Sequence, residues 1–480
     1  IIGLFFASPL LLPLLQFIQL STRKMMSSAD TLTLSLPPGN LFGLIFPNLG
    51  GSAEWMTYFG ALPILLFISL CASRTGWKRT RFWLIVFFIS IFFSLGSYIP
   101  GIQIFASLPG FDLLRVPPRA LFLAGISLSV VTAIGLEEFQ HSKSIKTEKG
   151  MRLILSGSIL LVLLLMVIFS IKSTSGRLGF LWGGATFVLA GIILLLVSYR
   201  KSNALPFYLL TAILIADLSF VSYHEIQFRK SAEVFESSNE EVSIVKDNIL
   251  SNSRIYSPSY SIPQEAAMKA GFQLADGVNP LQLESYVKYM DIATGIHWEE
   301  YSVTLPAFRT GSPDKDNAGV IPDAELLGIL NVQMIISAFP IQEDNLKLEA
   351  QTVDAYMYLN GKYRPRAWMQ EGLQIDADGK YQEAAITLYS PNHIQVNAEG
   401  PGVLVLADPY YPGWIAKIDG KKGSLLKIDG LLRGVELTEG QHTIDFIFRP
   451  ILLYIGLVFQ GCVLLIFCIF AFSRQKRKDP

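Results

Sequence analysis

Cysteine is nearly absent: Cys71, Cys462 and Cys468 are the only three in 480 residues, and all lie in apolar runs. That excludes a disulfide framework and any Cys/His spacing for a structural metal. Charge is scarce too, with Asp, Glu, Lys and Arg making up 16% and 39 basic residues balancing 39 acidic ones. With no basic block before the last few residues, a nucleic-acid partner is not expected. The five histidines form no HExxH or similar ligand spacing, and there is neither a Gly-x-Ser-x-Gly elbow nor a glycine-rich phosphate loop. Zincin, serine-hydrolase and phosphate-loop chemistry are set aside. No cofactor and no metal site is expected from the residues; a divalent metal requirement stays open.

Apolar residues are abundant instead. They make up 51% of the chain and the mean hydropathy is +0.41, too apolar for a soluble globular protein and too polar for a bare helical bundle. A bilayer core needs about 20 helical residues, and eight stretches qualify: 1–20, 56–73, 82–99, 120–136, 153–171, 179–199, 205–222 and 451–472. One set of connections carries fourteen Lys and Arg: Arg74, Lys78, Arg79, Arg81, Lys143, Lys146, Lys149, Arg152, Arg200, Lys201, Arg474, Lys476, Arg477 and Lys478. The alternate set carries six: Arg23, Lys24, Arg115, Arg119, Lys172 and Arg177. Positive residues mark the cytoplasm, so both ends are expected inside and the polar block 223–450 outside. The chain opens at Ile1 on an apolar run with no Met and no signal-peptide pattern, and reads as lacking an N-terminal part.

The expectation is a polytopic α-helical membrane protein of about eight transmembrane helices with an extracytoplasmic α+β domain ending in a β-sandwich. Its divisions are a seven-span region 1–222, an α+β region 223–380, a sandwich 381–450, the last span 451–472 and a basic cytoplasmic tail 473–480. PLQLESYVKYMDIAT predicts an amphipathic helix, and DAELLGIL followed by VQMIISA a short helix feeding a buried strand. From 384 on, AAITLYS, HIQVNAE, GVLVLAD, WIAKID, SLLKID, LLRGVELT and HTIDFIFR read as seven short strands. Asp419-Gly420, Asp429-Gly430 and Glu439-Gly440 punctuate them, the first two as hairpin turns. In ADPYYPGW, the rings of Tyr410, Tyr411 and Trp414 could stack on a sugar; in such turns they also fill cores or meet a membrane interface.

The segments LVLADPYYPGWIAKIDGK and LLRGVELTEGQHTIDFIFRP, leading straight into a final span, resemble the C-terminal end of the bacterial YfhO-like membrane proteins. SPLLLPLLQFIQLSTR, FPNLGGSAEWMTYFGALPILL, LPGFDLLRVPPRALF, IADLSF, LLGILNVQMIIS and YRPRAW fall in the matching order. The family is similar to GT-C glycosyltransferases, which pass a sugar from a polyprenyl-phosphate carrier to a cell-surface acceptor. The resemblance thus implies a lipid bilayer, a polyprenyl-phosphate-linked sugar and a cell-surface glycopolymer, such as a teichoic acid, as partners. It also implies a catalytic acid in a first extracytoplasmic loop, here expected before residue 1. The alternative is a non-enzymatic carrier of lipid-linked sugar or a glycan-binding assembly scaffold.

Such chemistry needs a carboxylate to take the acceptor proton and cations for the departing phosphate. Arg115 and Arg119 flank Pro117-Pro118, which presets their spacing, and are expected to clamp the lipid phosphate. They could equally reach lipid headgroups or pair with Asp112. Asp217, within a span, could support the clamp by pairing with one of them, or reach the interface. Glu54 and Asp30 are the acids available if the catalytic loop is present after all, and Glu54, beside Trp55, is the better placed.

Overall fold

The computed structural model describes residues 2–71, 74–108, 114–141, 145–172, 177–199, 205–226, 239–376 and 379–475. Two compact units emerge: Met26–Arg229, a helical unit, and Ile1–Met25 with Lys230–Pro480, a strand-rich unit. Among the described residues five helical stretches are long and apolar enough to cross a bilayer: Pro117–Glu138, Arg152–Ile171, Arg177–Tyr199, Leu205–Glu225 and Ile451–Phe470. The chain is a helical membrane protein with a β-rich region.

The other three expected spans form shorter or more charged helices. Ser8–Gln19 has 12 residues with Pro13 inside. Gly60, at φ +97°, delays the next helix to Ala61–Cys71. The helix Arg74–Ser94 opens on Arg74, Lys78, Arg79 and Arg81, and Gly96, at φ +46°, follows its end.

In the helical unit the core is Leu62, Leu65, Leu66, Ala124, Leu128, Phe187 and Leu194, all buried. Phe122, Leu153 and Ile171 point outward and are mostly exposed, as lipid-facing side chains would be. Glycine lets backbone approach at one place that matters below. A Cβ at Gly179 would overlap the Pro47 carbonyl oxygen, and one at Gly183 that of Ile45. This small-xxx-small pair on Arg177–Tyr199 therefore seats the 45–47 backbone directly on the helix.

The strand-rich unit holds two main sheets. A five-stranded mixed sheet runs, in spatial order, Gln273–Leu274, Arg254–Tyr256, Val332–Ser337, Tyr356–Asn360 and Leu346–Gln351, the first three parallel. The expected helices flank it as Glu284–Thr294 and Ala324–Ile329. Asp323 caps the second, its Oδ1 accepting from the Glu325 and Leu326 amides at 2.9 Å, as N-caps do.

The second sheet is one eight-stranded antiparallel sheet, where a sandwich of short strands was expected. Its axis is two strands of 17 residues, His393–Pro409 and Leu432–Phe448. The first pairs with Ala385–Ser390 along its start and Ala367–Gln370 along its end; the second pairs likewise with Leu426–Ile428 and Trp414–Ile418. Asp419-Gly420 joins Ile418 to Lys421 with φ positive at both residues, 51° and 75°, the type I′ signature. Glu439-Gly440 makes no turn. Gly440 lies opposite Gly400, where a Cβ would overlap the Thr438 carbonyl, and both strands run on.

Candidate functional site

Residues 40–58 of the helical unit wall a pocket of about 200 Å³, with Asn40, Asn48, Ser52, Trp55, Tyr58 and Glu225 in its lining. The wall is pinned at several points. Its 45–47 backbone rests on Gly179 and Gly183, the Trp55 indole donates to the Leu34 carbonyl at 2.8 Å, and the Thr57 hydroxyl to that of Asn40 at 2.7 Å.

Glu54 lies in the short turn Ala53–Trp55 of this wall, whose Ser52 hydroxyl accepts from the Glu54 amide at 3.3 Å. Arg119 follows Pro117-Pro118 in another 3-10 turn, Pro117–Ala120, entered through Val116 at φ +63°. The Arg119 guanidinium donates from Nε at 3.1 Å and from Nη2 at 2.8 Å, both to Glu54 Oε1. Two residues assigned separate roles from sequence thus stand together, although nothing in their spacing joined them. Arg119 is 61% and Glu54 33% exposed at the side chain, and such a pair contributes at most about 1 kcal/mol to stability. Arg115 is partly buried on the other side of the Pro-Pro step. Asp112, its suggested partner, lies outside the described residues. Asp30 caps a helical turn: its Oδ2 accepts from the Ser27 amide at 2.8 Å and hydroxyl at 2.7 Å.

Asp217 is buried, 1% exposed, and neither of the two expected arrangements is seen. Its partners are neutral donors in place of Arg115 or Arg119. The Tyr58 hydroxyl lies 2.7 and 2.8 Å from its two oxygens, the Trp182 indole donates at 3.0 Å, and the Ala61 amide at 3.0 Å. Ala61 opens a helix, so the carboxylate also sits at a helix N-terminus, where negative charge is favoured. Asp217 thereby ties Tyr58, a pocket-lining residue, to the helix below it.

In the strand-rich unit, the ADPYYPGW rings meet other side chains. Tyr411 lies against Phe17 and Phe448, with centroids 5.8 and 6.2 Å apart, and Trp414 against Phe448 at 5.4 Å. The other neighbour of Trp414 is the Arg433 guanidinium, 3.9 Å from the ring centre, a cation–π contact. Tyr410 extends the pairing of the two long strands through its amide, which donates to the Leu431 carbonyl at 2.6 Å.

Arg433 belongs to a cluster that sequence reasoning missed. Asp408 Oδ1 accepts from Arg254 Nη2 at 2.9 Å and Arg366 Nη2 at 2.8 Å, and Oδ2 from Arg433 Nη2 at 2.8 Å. All four side chains are at least nine-tenths buried. Arg254 reaches the Leu330 and Ala407 carbonyls as well, and Arg366 the Gln273 and Asn331 side chains and the Tyr389 hydroxyl. The cluster bolts the two sheets together. A signal existed: YRPRAW, ADPYYPGW and LLRGVELT each supply one member.

Nearby, Asp276 Oδ1 accepts from the Ser257 amide at 3.0 Å while Oδ2 has no partner among the described residues. Burial pushes its carboxyl up from 3.8 to about 7. With the folded value above the unfolded one, stability is full below about pH 4 and is lost as pH rises through about 7. Asp276→Asn, which keeps the Ser257 bond, should raise the melting temperature at pH 8 and leave it unchanged near pH 4. The gap corresponds to a few kcal/mol; parallel melting curves for both proteins across this range would refute it.

Residues 373–460, from the second sheet into the last helix, match the family described as bacterial membrane protein YfhO, in line with the resemblance above. Neither the curated proteins nor the solved structures contain a match.

Proposed function

This chain carries a domain of the bacterial YfhO membrane-protein family over residues 373–460, and from that premise we propose that it is a membrane glycosyltransferase, moving a sugar from a polyprenyl-phosphate carrier to a cell-envelope polymer. The observation supporting the reading is the Glu54–Arg119 pair, whose Glu54 stands in the turn between the pocket-lining residues Ala53 and Trp55. Transfer from a lipid phosphate needs a cation for the leaving phosphate and a carboxylate for the acceptor proton, and here each lies within hydrogen-bond reach of the other. Arg119, with Arg115 beyond the Pro-Pro step, takes the phosphate, whose oxygens match a guanidinium fork. Glu54, displaced from Arg119, takes the proton of the acceptor hydroxyl. The sugar C1 to phosphate-oxygen bond then breaks as the C1 to acceptor-oxygen bond forms, and polyprenyl phosphate leaves with the electron pair.

The fourteen-to-six charge asymmetry orients this site outward, with 223–450 extracytoplasmic and the C-terminus cytoplasmic, if the two shorter apolar helices and the more charged Arg74–Ser94 also cross. Arg119→Ala and Glu54→Gln should each lower sugar transfer by about 100-fold or more, with normal folded yield because the exposed pair adds little stability. Polyprenyl-phosphate-sugar should accumulate in the cells. Transfer within a few-fold of wild type in both variants, with carrier levels unchanged on gene deletion, would leave the carrier or scaffold reading in its place.

A further inference from the structure

A second cavity lies in the strand-rich unit between Thr22, just after Ser8–Gln19, and the segment 282–307. Its volume is about 50 Å³, room for several water-sized groups at about 10–15 Å³ each. The Thr22 amide donates to the Gln282 carbonyl at 3.0 Å, which fixes this residue over the opening. Thr22 is 6% exposed, and its buried Oγ1 has no hydrogen-bond partner among the described residues; neither has the buried indole Nε1 of Trp298 in the same lining. Burying polar atoms unpaired is costly, and two in one cavity suit a wall built to bond what enters.

The rest of the lining defines the visitor. Val287, Ile296, Leu305 and Pro306 supply apolar surface, and Asp291 and Glu300 supply acceptors. The Asp291 carboxylate is held in place by the His297 ring at 2.9 Å and the Trp298 amide at 3.2 Å. Among the described residues no Lys or Arg lines the cavity. Two acids without a cation repel phosphates and carboxylates; apolar walls with hydroxyl-type donors and acceptors suit a ring that has C–H faces and hydroxyl edges. We propose that this cavity binds one edge of a neutral sugar unit, with the Thr22 hydroxyl and Trp298 indole as its specific hydrogen-bonding groups. The site belongs to the strand-rich unit and the Glu54–Arg119 pair to the helical unit, and occupancy of the cavity does not depend on transfer occurring.

The test is saturation-transfer NMR on the whole chain in lipid nanodiscs, which avoids sugar-headed detergents. The probes are the methyl glycosides of glucose, galactose and N-acetylglucosamine, with glucose 6-phosphate as the anionic control. At least one neutral glycoside should bind saturably, and glucose 6-phosphate should not. Thr22→Val and Trp298→Phe should each weaken that binding about 10-fold and leave the melting temperature unchanged or higher, since neither atom has a bond to lose. Displacement of the glycoside by polyprenyl-phosphoglucose in the disc identifies the donor lipid as the source of the sugar; displacement by a soluble neutral oligosaccharide identifies the polymer. Absence of saturable binding by all three glycosides, or unchanged affinity in both variants, overturns the proposal.

Discussion

Asp408→Asn is expected to unfold the strand-rich unit, the largest single effect that this structure predicts. The residue is the one carboxylate shared by Arg254, Arg366 and Arg433, within 2.9 Å of each. Burial alone would push its carboxyl up, but Arg366, Arg254 and Arg433 outweigh burial and hold it below the usual carboxylate range. Its stabilisation is therefore present above about pH 4 and lost only as pH falls further. Breaking one buried ion pair costs about 3–5 kcal/mol, and here three cations lose their counter-ion together. Burial already depresses the Arg254 and Arg433 guanidiniums, a sign of how little solvent reaches them. A loss above about 5 kcal/mol compares with a total stability of about 5–15 kcal/mol for a typical domain. Limited proteolysis should then degrade residues 239–450 while leaving the membrane helices. Adding Arg433→Met, which removes one unmatched cation, should recover part of the resistance; wild-type resistance of Asp408→Asn by itself would show that the cluster is not what joins the sheets.

Asp217→Ala should be nearly as damaging in the helical unit. It strands the Tyr58 hydroxyl, the Trp182 indole and the Ala61 amide, at about 1–3 kcal/mol for each buried donor left unpaired. Asp217→Asn keeps one acceptor oxygen and should fall between. Because its partners are neutral, Asp217→Arg should not be rescued by Arg115→Asp or Arg119→Asp. Monodisperse yield after extraction measures all of these, and rescue by either aspartate would reinstate a charge pair. Since Tyr58 lines the pocket, the Asn variant should also lose transfer beyond its loss of yield.

Local signals in the sequence were reliable where one interaction decides the outcome. The Asp323 cap, the helix Glu284–Thr294 and the type I′ turn at Asp419-Gly420 follow from a side chain, a period of 3.6 and a positive φ. Glu439-Gly440, which punctuates the sequence in the same way, makes no turn. Its partner across the sheet, Gly400, answers a close approach to the Thr438 carbonyl, a cause that leaves no local trace in the sequence. Among the described residues five of the eight expected spans are long and apolar enough to cross; apolar composition signals a helix, whereas Pro13, Gly60 and Gly96 limit its length. For the candidate site, residue types were legible but partnerships were not. Glu54 and Arg119 are separated by 65 positions, and Arg254, Arg366, Asp408 and Arg433 lie on segments that no periodicity links. Asp217 drew notice as a charge in a span; its partners Tyr58 and Trp182 lie 159 and 35 positions away, and no spacing points to them.

The 17-residue strand Leu432–Phe448 passes into the last helix, Ile451–Gln475, through Arg449 and Pro450 alone. That joint is itself bonded: the Arg449 amide donates to the Gly413 carbonyl at 2.6 Å, and the Phe448 amide to that of Asn392 at 2.9 Å. Without slack between them, sheet and helix share one torsional state. Rotating the helix about its axis would strain these hydrogen bonds and the strand register beside them, so the joint ties the orientation of the helix to that of the sheet.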